Sequence, residues 1–272
     1  MRIDAERSSE FNRRFGIRFE DGARVEAVLY RGDTLCISTQ VGCSVGCPFC
    51  ASGAQGLARS LKLPELVGQI TCVRERGYEV KRVTLSGVGE PLLNPACVEF
   101  VHACRAERVP PSVTTSGGSA ELLRRWLHLP HNGLTLSVHA GEESTRARLV
   151  PGAPNLATLF DVLQEHLPKL SRSRRKKVAL AYLLLAGEND SDEELDAFAE
   201  RALPLAFDVQ LYSQNAVAHS GLRSPEEPRL DAIKRRLEAT GLHVRRSSKA
   251  RREANGGCGT LLALGPGDSR KQ

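Results

Sequence analysis

Residues 43–50 read Cys43-Ser44-Val45-Gly46-Cys47-Pro48-Phe49-Cys50, three thiols spaced C-x3-C-x2-C with an aromatic ahead of the third. Thiolates hold iron–sulfur clusters, and a four-iron cluster ordinarily takes four of them. A segment that supplies three leaves one iron open, or recruits a ligand from elsewhere. An open iron can chelate the amino and carboxylate groups of S-adenosylmethionine and pass an electron to its sulfonium. In such chemistry the cofactor makes the radical and the protein positions it. The same spacing also suits a structural zinc site completed by a distant fourth cysteine.

Working outward, residues 34–39 form a short strand that runs straight into the cysteine loop. Ahead of it, Ile17-Arg18-Phe19, the Glu20-Asp21-Gly22 turn and residues 24–30 read as a hairpin, because Asp-Gly fits a tight turn. Residues 1–15 are polar and read as irregular. Beyond the loop, β-branched runs at 83–85, 112–115, 134–138, 178–185 and 207–212 alternate with helical periodicities at 63–77, 95–107, 120–129, 156–167 and 226–239. Ser191-Asp192-Glu193-Glu194 opens one more helix with a capping box, and 243–246 is a last short strand. Counting from Thr34 gives six strand–helix units, a pattern that implies a parallel sheet with right-handed crossovers. Six units are too few for a closed eight-fold barrel. The expected fold is therefore α/β, an open partial (β/α)6 barrel with a short N-terminal β-hairpin extension. It divides into an extension (1–33), the partial barrel (34–247) and a C-terminal segment (248–272).

Composition narrows the class. The 272 residues are 41% hydrophobic and 26% charged, as in an ordinary globular protein, while 5% aromatics argue against an extended base-stacking surface. A formal charge of +6 favours an anionic partner without naming it. Eight cysteines would suit disulfides, yet Met1-Arg2-Ile3-Asp4-Ala5-Glu6-Arg7 has no apolar signal core. The longest apolar run, 178–186, is too short to cross a bilayer. A cytoplasmic chain with reduced thiols is expected, so clustered cysteines read as metal-binding or catalytic.

In parallel α/β barrels the active site forms from loops at the carboxyl ends of the strands. Here those ends are followed by the cysteine loop, Gly87-Val88-Gly89-Glu90-Pro91, Thr114-Thr115-Ser116-Gly117, Ser137-Val138-His139, Gly187-Glu188-Asn189-Asp190 and Gln214-Asn215. Singly, Gly-x-Gly-Glu-Pro is a plain turn, His139 a satisfied strand-end histidine and Asn215 a loop cap. Together, beside the cysteine loop, they make one polar face on which Glu90 can grip an ammonium group. Three further residues draw notice: Cys36 on the strand entering the loop, Glu26 on the hairpin, and Cys258 in Asn255-Gly256-Gly257-Cys258-Gly259, a segment able to swing over the barrel mouth. Cys36 and Cys258 can equally be a core thiol and an incidental loop thiol. Cys72, Cys97 and Cys104 fall on helix faces and read as small buried hydrophobes.

A longer set of motifs adds to this: Arg24-Val25-Glu26, Thr34-Leu35-Cys36, Gln40-Val41-Gly42 with the cysteine loop, and Gln55-Gly56-Leu57-Ala58-Arg59-Ser60-Leu61. It continues with Gly89-Glu90-Pro91-Leu92-Leu93-Asn94, Thr115-Ser116-Gly117, Ser137-Val138-His139-Ala140, Arg148-Leu149-Val150-Pro151, Asn189-Asp190 and Cys258-Gly259. In these the chain resembles the RlmN/Cfr family of radical S-adenosylmethionine RNA methyltransferases. The resemblance implies a 4Fe–4S cluster on Cys43, Cys47 and Cys50. It implies S-adenosylmethionine held by Gly89, Glu90, Thr114, Ser137, Val138, His139 and Asn215. The implied reaction has two stages. Cys258 takes a methyl group from one S-adenosylmethionine by displacement. A second is cleaved reductively to a 5′-deoxyadenosyl radical, which removes hydrogen from that methyl. The carbon radical adds to an adenine ring carbon, C2 in preference to C8. Glu26 matches the base that takes the adenine proton, and Cys36 the cysteine that closes a disulfide with Cys258 to release the product. The implied substrate is RNA, 23S ribosomal RNA first and transfer RNA second, with flavodoxin or ferredoxin as electron donor, no membrane and a monomeric chain.

The chain departs from the family's pattern in places. The family commonly carries an N-terminal RNA-binding domain, and this chain begins almost at the hairpin. Gly141-Glu142-Glu143 stands where the family usually has proline-asparagine, and Asn215 lacks its proline and aromatic flanks. Residues 172–177, read as a solvated charged loop, and Arg245, Arg246, Lys249, Arg251 and Arg252 are candidates for phosphate contacts. The alternatives are a radical enzyme with another substrate, and a zinc-stabilised RNA-binding module without catalysis.

Overall fold

The computed structural model describes residues 1–106, 108–217, 220–253, 255–256 and 259–265. The chain opens on three antiparallel strands, β1 (Arg2–Ser8), β2 (Asn12–Arg18) and β3 (Arg24–Tyr30). The expectation that residues 1–15 are irregular is therefore corrected: β1 pairs with β2 from Arg2↔Arg18 to Ser8↔Arg13. Its charges are accommodated on the sheet surface, where Asp4 bonds Arg18 and Arg24 at 2.8 Å each. The turn between β2 and β3 forms as its sequence implies, with the Ala23 amide donating to Asp21 Oδ1 at 3.0 Å and Gly22 at φ 85°.

All of β3 is buried, and its two faces have different neighbours. Val25, Ala27 and Leu29 enter the main core, while Val28 and Tyr30 pack with Cys36, Val88, Ala250 and Leu261. The alternation of side chains along a strand puts Glu26 on this second face.

Strand β4 (Thr34–Ile37) turns the sheet from antiparallel to parallel, pairing Val28↔Cys36 with β3 on one side. A small hairpin of β5 (Gln40–Gly42) and β6 (Leu57–Ser60) then brackets the cysteine loop. It needs glycine at 42, where φ is 83° and a Cβ would fall 2.0 Å from the Gly56 carbonyl oxygen. Helix α1 (Leu63–Glu75) carries Pro64 in its first turn, with Glu65 accepting the Lys62 amide at 2.8 Å. Strand β7 (Arg82–Leu85) follows, parallel to β4 with Cys36 opposite Thr84.

The alternation continues through α2 (Ala96–Ala106), β8 (Ser112–Thr115), α3 (Ala120–His128) and β9 (Gly133–Ser137). Next come α4 (Glu143–Leu149), α5 (Leu156–His166), α6 (Arg172–Arg175), β10 (Val178–Leu184), α7 (Asp192–Ala202) and β11 (Asp208–Ser213). The chain closes with α8 (Glu227–Ala239), β12 (His243–Arg246), α9 (Lys249–Arg252) and β13 (Ala263–Leu264). Ser119, Asn155 and Ser191 cap their helices by accepting from the third residue on.

The sheet order is β1-β2-β3-β4-β7-β8-β9-β10-β11-β12, with β13 added beside β3. All six expected strand–helix units are present, and β12 joins β11 in parallel as a seventh strand. Residues 172–177 start with the one-turn helix α6 where a loop was expected, though they stay mostly exposed. Apolar helix faces cover the sheet, with Trp126, Phe100 and Phe198 fully buried. Cys97 and Cys104 join this core as anticipated, and Cys72 packs at its edge.

Candidate active site

The cysteine loop is pinned at both ends. The Cys43 amide donates to Gly56 O at 3.0 Å, and the Ala51 amide to Gly259 O at 2.7 Å. Between these points Val45 and Phe49 pack with Leu149, Val150, Leu183 and Leu185, and the thiols of Cys43, Cys47 and Cys50 line this apolar nest. Burial pushes the Cys43 thiol up to about 12 and the Cys47 thiol well above its ordinary range, and a charge on Cys50 would raise both further. Soft sulfur donors in such a setting suit iron–sulfur binding, which must displace the thiol protons. A single zinc ion would gather its ligands to ~2.3 Å from one point. Among the described residues no group of three His, Cys, Asp or Glu side chains is gathered that way. Three soft thiolate donors on one apolar loop are a donor set that suits an iron–sulfur cluster.

Beside the loop lies a cavity of about 150 Å³ that opens to solvent. Its wall takes one or more side chains from the carboxyl end of nearly every parallel strand: Ser86, Thr114, Ser137, Leu183, Tyr212 and Ser247. Phe49, Cys50, His139, Asn215, Arg251 and Gly259 complete the mouth. Of the expected cofactor residues, Thr114, Ser137, His139 and Asn215 therefore face one cavity with Cys50.

Gly89, Glu90 and Val138 lie behind that wall. Gly89 has φ 103°, and a Cβ there would fall 2.6 Å from the Cβ of Gln40, whose Oε1 accepts the Glu90 amide at 2.9 Å. Glu90 is 4% exposed. Its carboxylate accepts from the Leu92 amide (3.0 Å), the Ser116 amide (2.8 Å), the Ser116 hydroxyl (2.7 Å) and the Thr115 hydroxyl. Four donors occupy the lone pairs a carboxylate offers. In this arrangement Glu90 ties the loop after β7 to the loop after β8 and presents no spare acceptor to the cavity.

His139 sits in the left-handed region at φ 59°, which is uncommon outside glycine. Asn189 holds it there, donating to His139 O and Leu183 O at 2.8 Å each while accepting the Leu185 amide. The ring accepts the Leu183 amide through Nδ1 at 2.9 Å, which puts the neutral ring's proton on Nε2. Its edge meets Phe49 at 5.4 Å. Burial, with Arg146 nearby, lowers the His139 pKa to about 3.

On the second face of β3 the Glu26 carboxylate accepts from Arg14 and from the Leu262 amide at 2.8 Å, and Arg14 also donates to Thr260 O at 2.7 Å. Cys36, 2% exposed, contacts the cavity-lining Ser86 hydroxyl at 3.1 Å. The segment after β12 is anchored to the same face. Asn12 donates to Ala250 O at 2.6 Å, Tyr30 to Gly256 O, and Ser52 to Leu261 O at 3.0 Å. Cys258 itself lies outside the described residues. Its described flank, Gly259, is at the cavity wall.

Sequence reading missed Ser86, Tyr212 and Arg146. Ser86 is the first residue beyond β7, so a strict strand-end rule would have found it. Arg146 gave no signal: it is one of 38 basic residues, and its burial appears only once α4 is docked.

The radical SAM superfamily pattern matches residues 37–199. A probable RNA methyltransferase from Aromatoleum aromaticum is 32% identical, covering 96% of this chain and 74% of the relative. The dual-specificity RNA methyltransferase RlmN of Solidesulfovibrio magneticus is also 32% identical, over 92% of this chain and 75% of its own length. Among solved structures, a radical SAM methyltransferase from Sphaerobacter thermophilus superposes with a TM-score of 0.85 at 27% identity, covering 95% of this chain and 80% of the other.

Proposed function

The chain belongs to the RlmN/Cfr family of radical S-adenosylmethionine RNA methyltransferases, and we propose that it methylates an adenine ring carbon of RNA, C2 in preference to C8, through a methylated Cys258. The proposed substrate is 23S ribosomal RNA, with transfer RNA second, and flavodoxin or ferredoxin as electron donor to a monomeric chain in the cytoplasm. Among the described residues no helix is long and apolar enough to cross a membrane. The extension (1–33) and the C-terminal segment (248–272) are proposed as units flanking the barrel (34–247).

When bound, the 4Fe–4S cluster and S-adenosylmethionine supply the methyl group and the one-electron chemistry that an unactivated aromatic carbon requires. Cys43, Cys47 and Cys50 would hold the cluster. Thr114, Ser137, His139 and Asn215 would contact the cofactor from the cavity wall. Gly89, Glu90 and Val138 would act from behind it, through backbone and loop position. Neutral His139 can donate from Nε2 and adds no positive charge beside a sulfonium. Glu26 would take the adenine proton on a carboxylate otherwise bonded to Arg14 and Leu262. Cys36 would form a disulfide with Cys258 and so free the product.

The observation that carries this reading is convergence: Glu26, Cys36 and the described flanks of Cys258 meet on one face beside a cavity that Cys50 lines. The test is adenine methylation of RNA by anaerobically reconstituted protein. Glu26→Gln and Cys258→Ala should each abolish methylation while iron content stays at the wild-type level. Turnover by Cys258→Ala would sink the proposal.

A further inference from the structure

Arg146, on α4, is 1% exposed. Its guanidinium donates to Ser116 O, Ser137 O and Val138 O at 2.7 Å each and to Pro154 O at 3.3 Å. All four acceptors are carbonyls, which solvate a cation without neutralising it. A buried charge that lacks a counter-ion is strongly unfavourable, so an anion belongs beside this one. Glu90 is near, but its own charge is already met by four donors.

The other neighbour is the cysteine loop. The segment after α4 is docked on it, with the Gly152 amide donating to Val45 O at 2.9 Å and Leu149 and Val150 packed among Val45, Phe49 and the three thiols. The fit leaves no slack, since a Cβ on Gly152 would fall 2.6 Å from the Val45 Cα. A thiolate at Cys47, as a bound metal would demand, acts most on the Arg146 guanidinium, ahead of Glu90 and Glu143.

We infer that Arg146 is the built-in countercharge of the cluster site, a positioning residue that sets how readily the bound cluster is reduced. The inference rests on the reading of Cys43, Cys47 and Cys50 as cluster ligands. A cluster on three thiolates is anionic and becomes more so on gaining an electron, and local charge is among the factors that set its potential. A fixed cation nearby favours the reduced form. Arg146 also bonds the carbonyls of Ser137 and Val138, so it links cluster charge to the cavity wall.

The experiment is an EPR-monitored redox titration of reconstituted wild type, Arg146→Gln and Arg146→Lys, with iron and sulfide measured on each. At the wild-type midpoint potential, Arg146→Gln should show a reduced-to-oxidised ratio lower on the order of tenfold, a one-electron shift of ~59 mV. Arg146→Lys should stay near wild type. A loaded Arg146→Gln with the wild-type midpoint would overturn the inference alone, as would an Arg146→Lys shifted as far as Arg146→Gln. A wild-type chain that binds no iron ends the cluster reading and this inference with it. Should Arg146→Gln fail to fold, hydrogen exchange on the wild type decides: cluster loading should slow exchange across residues 137–154, and unchanged exchange there would count against the countercharge role.

Discussion

The mouth of the parallel sheet and the N-terminal antiparallel sheet both bury polar groups, and they use them differently. At the mouth, Glu90, Arg146 and Asn189 bond backbone and hydroxyl groups of adjoining loops, and so fix the shape of the cavity wall. On the antiparallel sheet, Asn12, Arg14, Glu26 and Tyr30 reach residues more than 220 positions later and hold the C-terminal segment over the cavity. One region shapes the cavity wall, and the other brings a distant piece of chain to it. A motif residue can thus tie two loops together, while strands that look peripheral anchor a distant segment beside the cavity.

The sharpest break comes at the mouth. Cys47→Ser should abolish iron binding and methylation together, read by iron analysis and adenine mass mapping, while the antiparallel sheet and its hydrogen-exchange protection persist. On the other side, Arg14→Ala removes the cation from a buried pair and leaves Glu26 unmatched. It should cost about 3–5 kcal/mol in urea unfolding, and Glu26→Gln, which strands the Arg14 cation in turn, should also be destabilising and lose activity as well.

Acid separates the two ends of β9. His139 at the mouth and His131 just before the strand have pKa values of about 3 and about 4, both lowered chiefly by burial. In the unfolded chain they protonate near ~6.5. Their contribution is therefore complete above that pH and is lost as pH falls towards each folded value, at about 1.4 kcal/mol per unit for each ring. Denaturant midpoints at descending pH check this, and His131→Gln should remove one share of the slope without touching cofactor affinity.

Smaller effects refine the contrast. Glu90→Gln turns an amide towards donors and should cost about 1–3 kcal/mol, with weaker S-adenosylmethionine binding by calorimetry. Asn12→Ala should cost about 1 kcal/mol and speed proteolytic cleavage after residue 250 while leaving iron content unchanged.

Much of this was legible in advance because strand periodicity and thiol spacing are local signals. The three thiols, the strand-end groups Thr114, Ser137, His139 and Asn215, and six strand–helix units could be read in order along the chain. Other features depend on distant partners. β1 looked irregular because its charges pair across strands, as Asp4 does with Arg18 and Arg24. The four donors to Glu90 come from loops that only the fold brings together. Arg146 resembled any surface arginine until α4 was packed on the cysteine loop.

The most direct measurement uses S-adenosylmethionine with a fully deuterated methyl group, reconstituted protein and RNA, with mass analysis of the methylated adenine. Transfer by way of the Cys258 methyl, which gives up one hydrogen before joining the ring, predicts a product methyl carrying two of the three deuteriums. A product that keeps all three, or an iron-loaded protein that leaves every adenine ring carbon unmethylated, would contradict it.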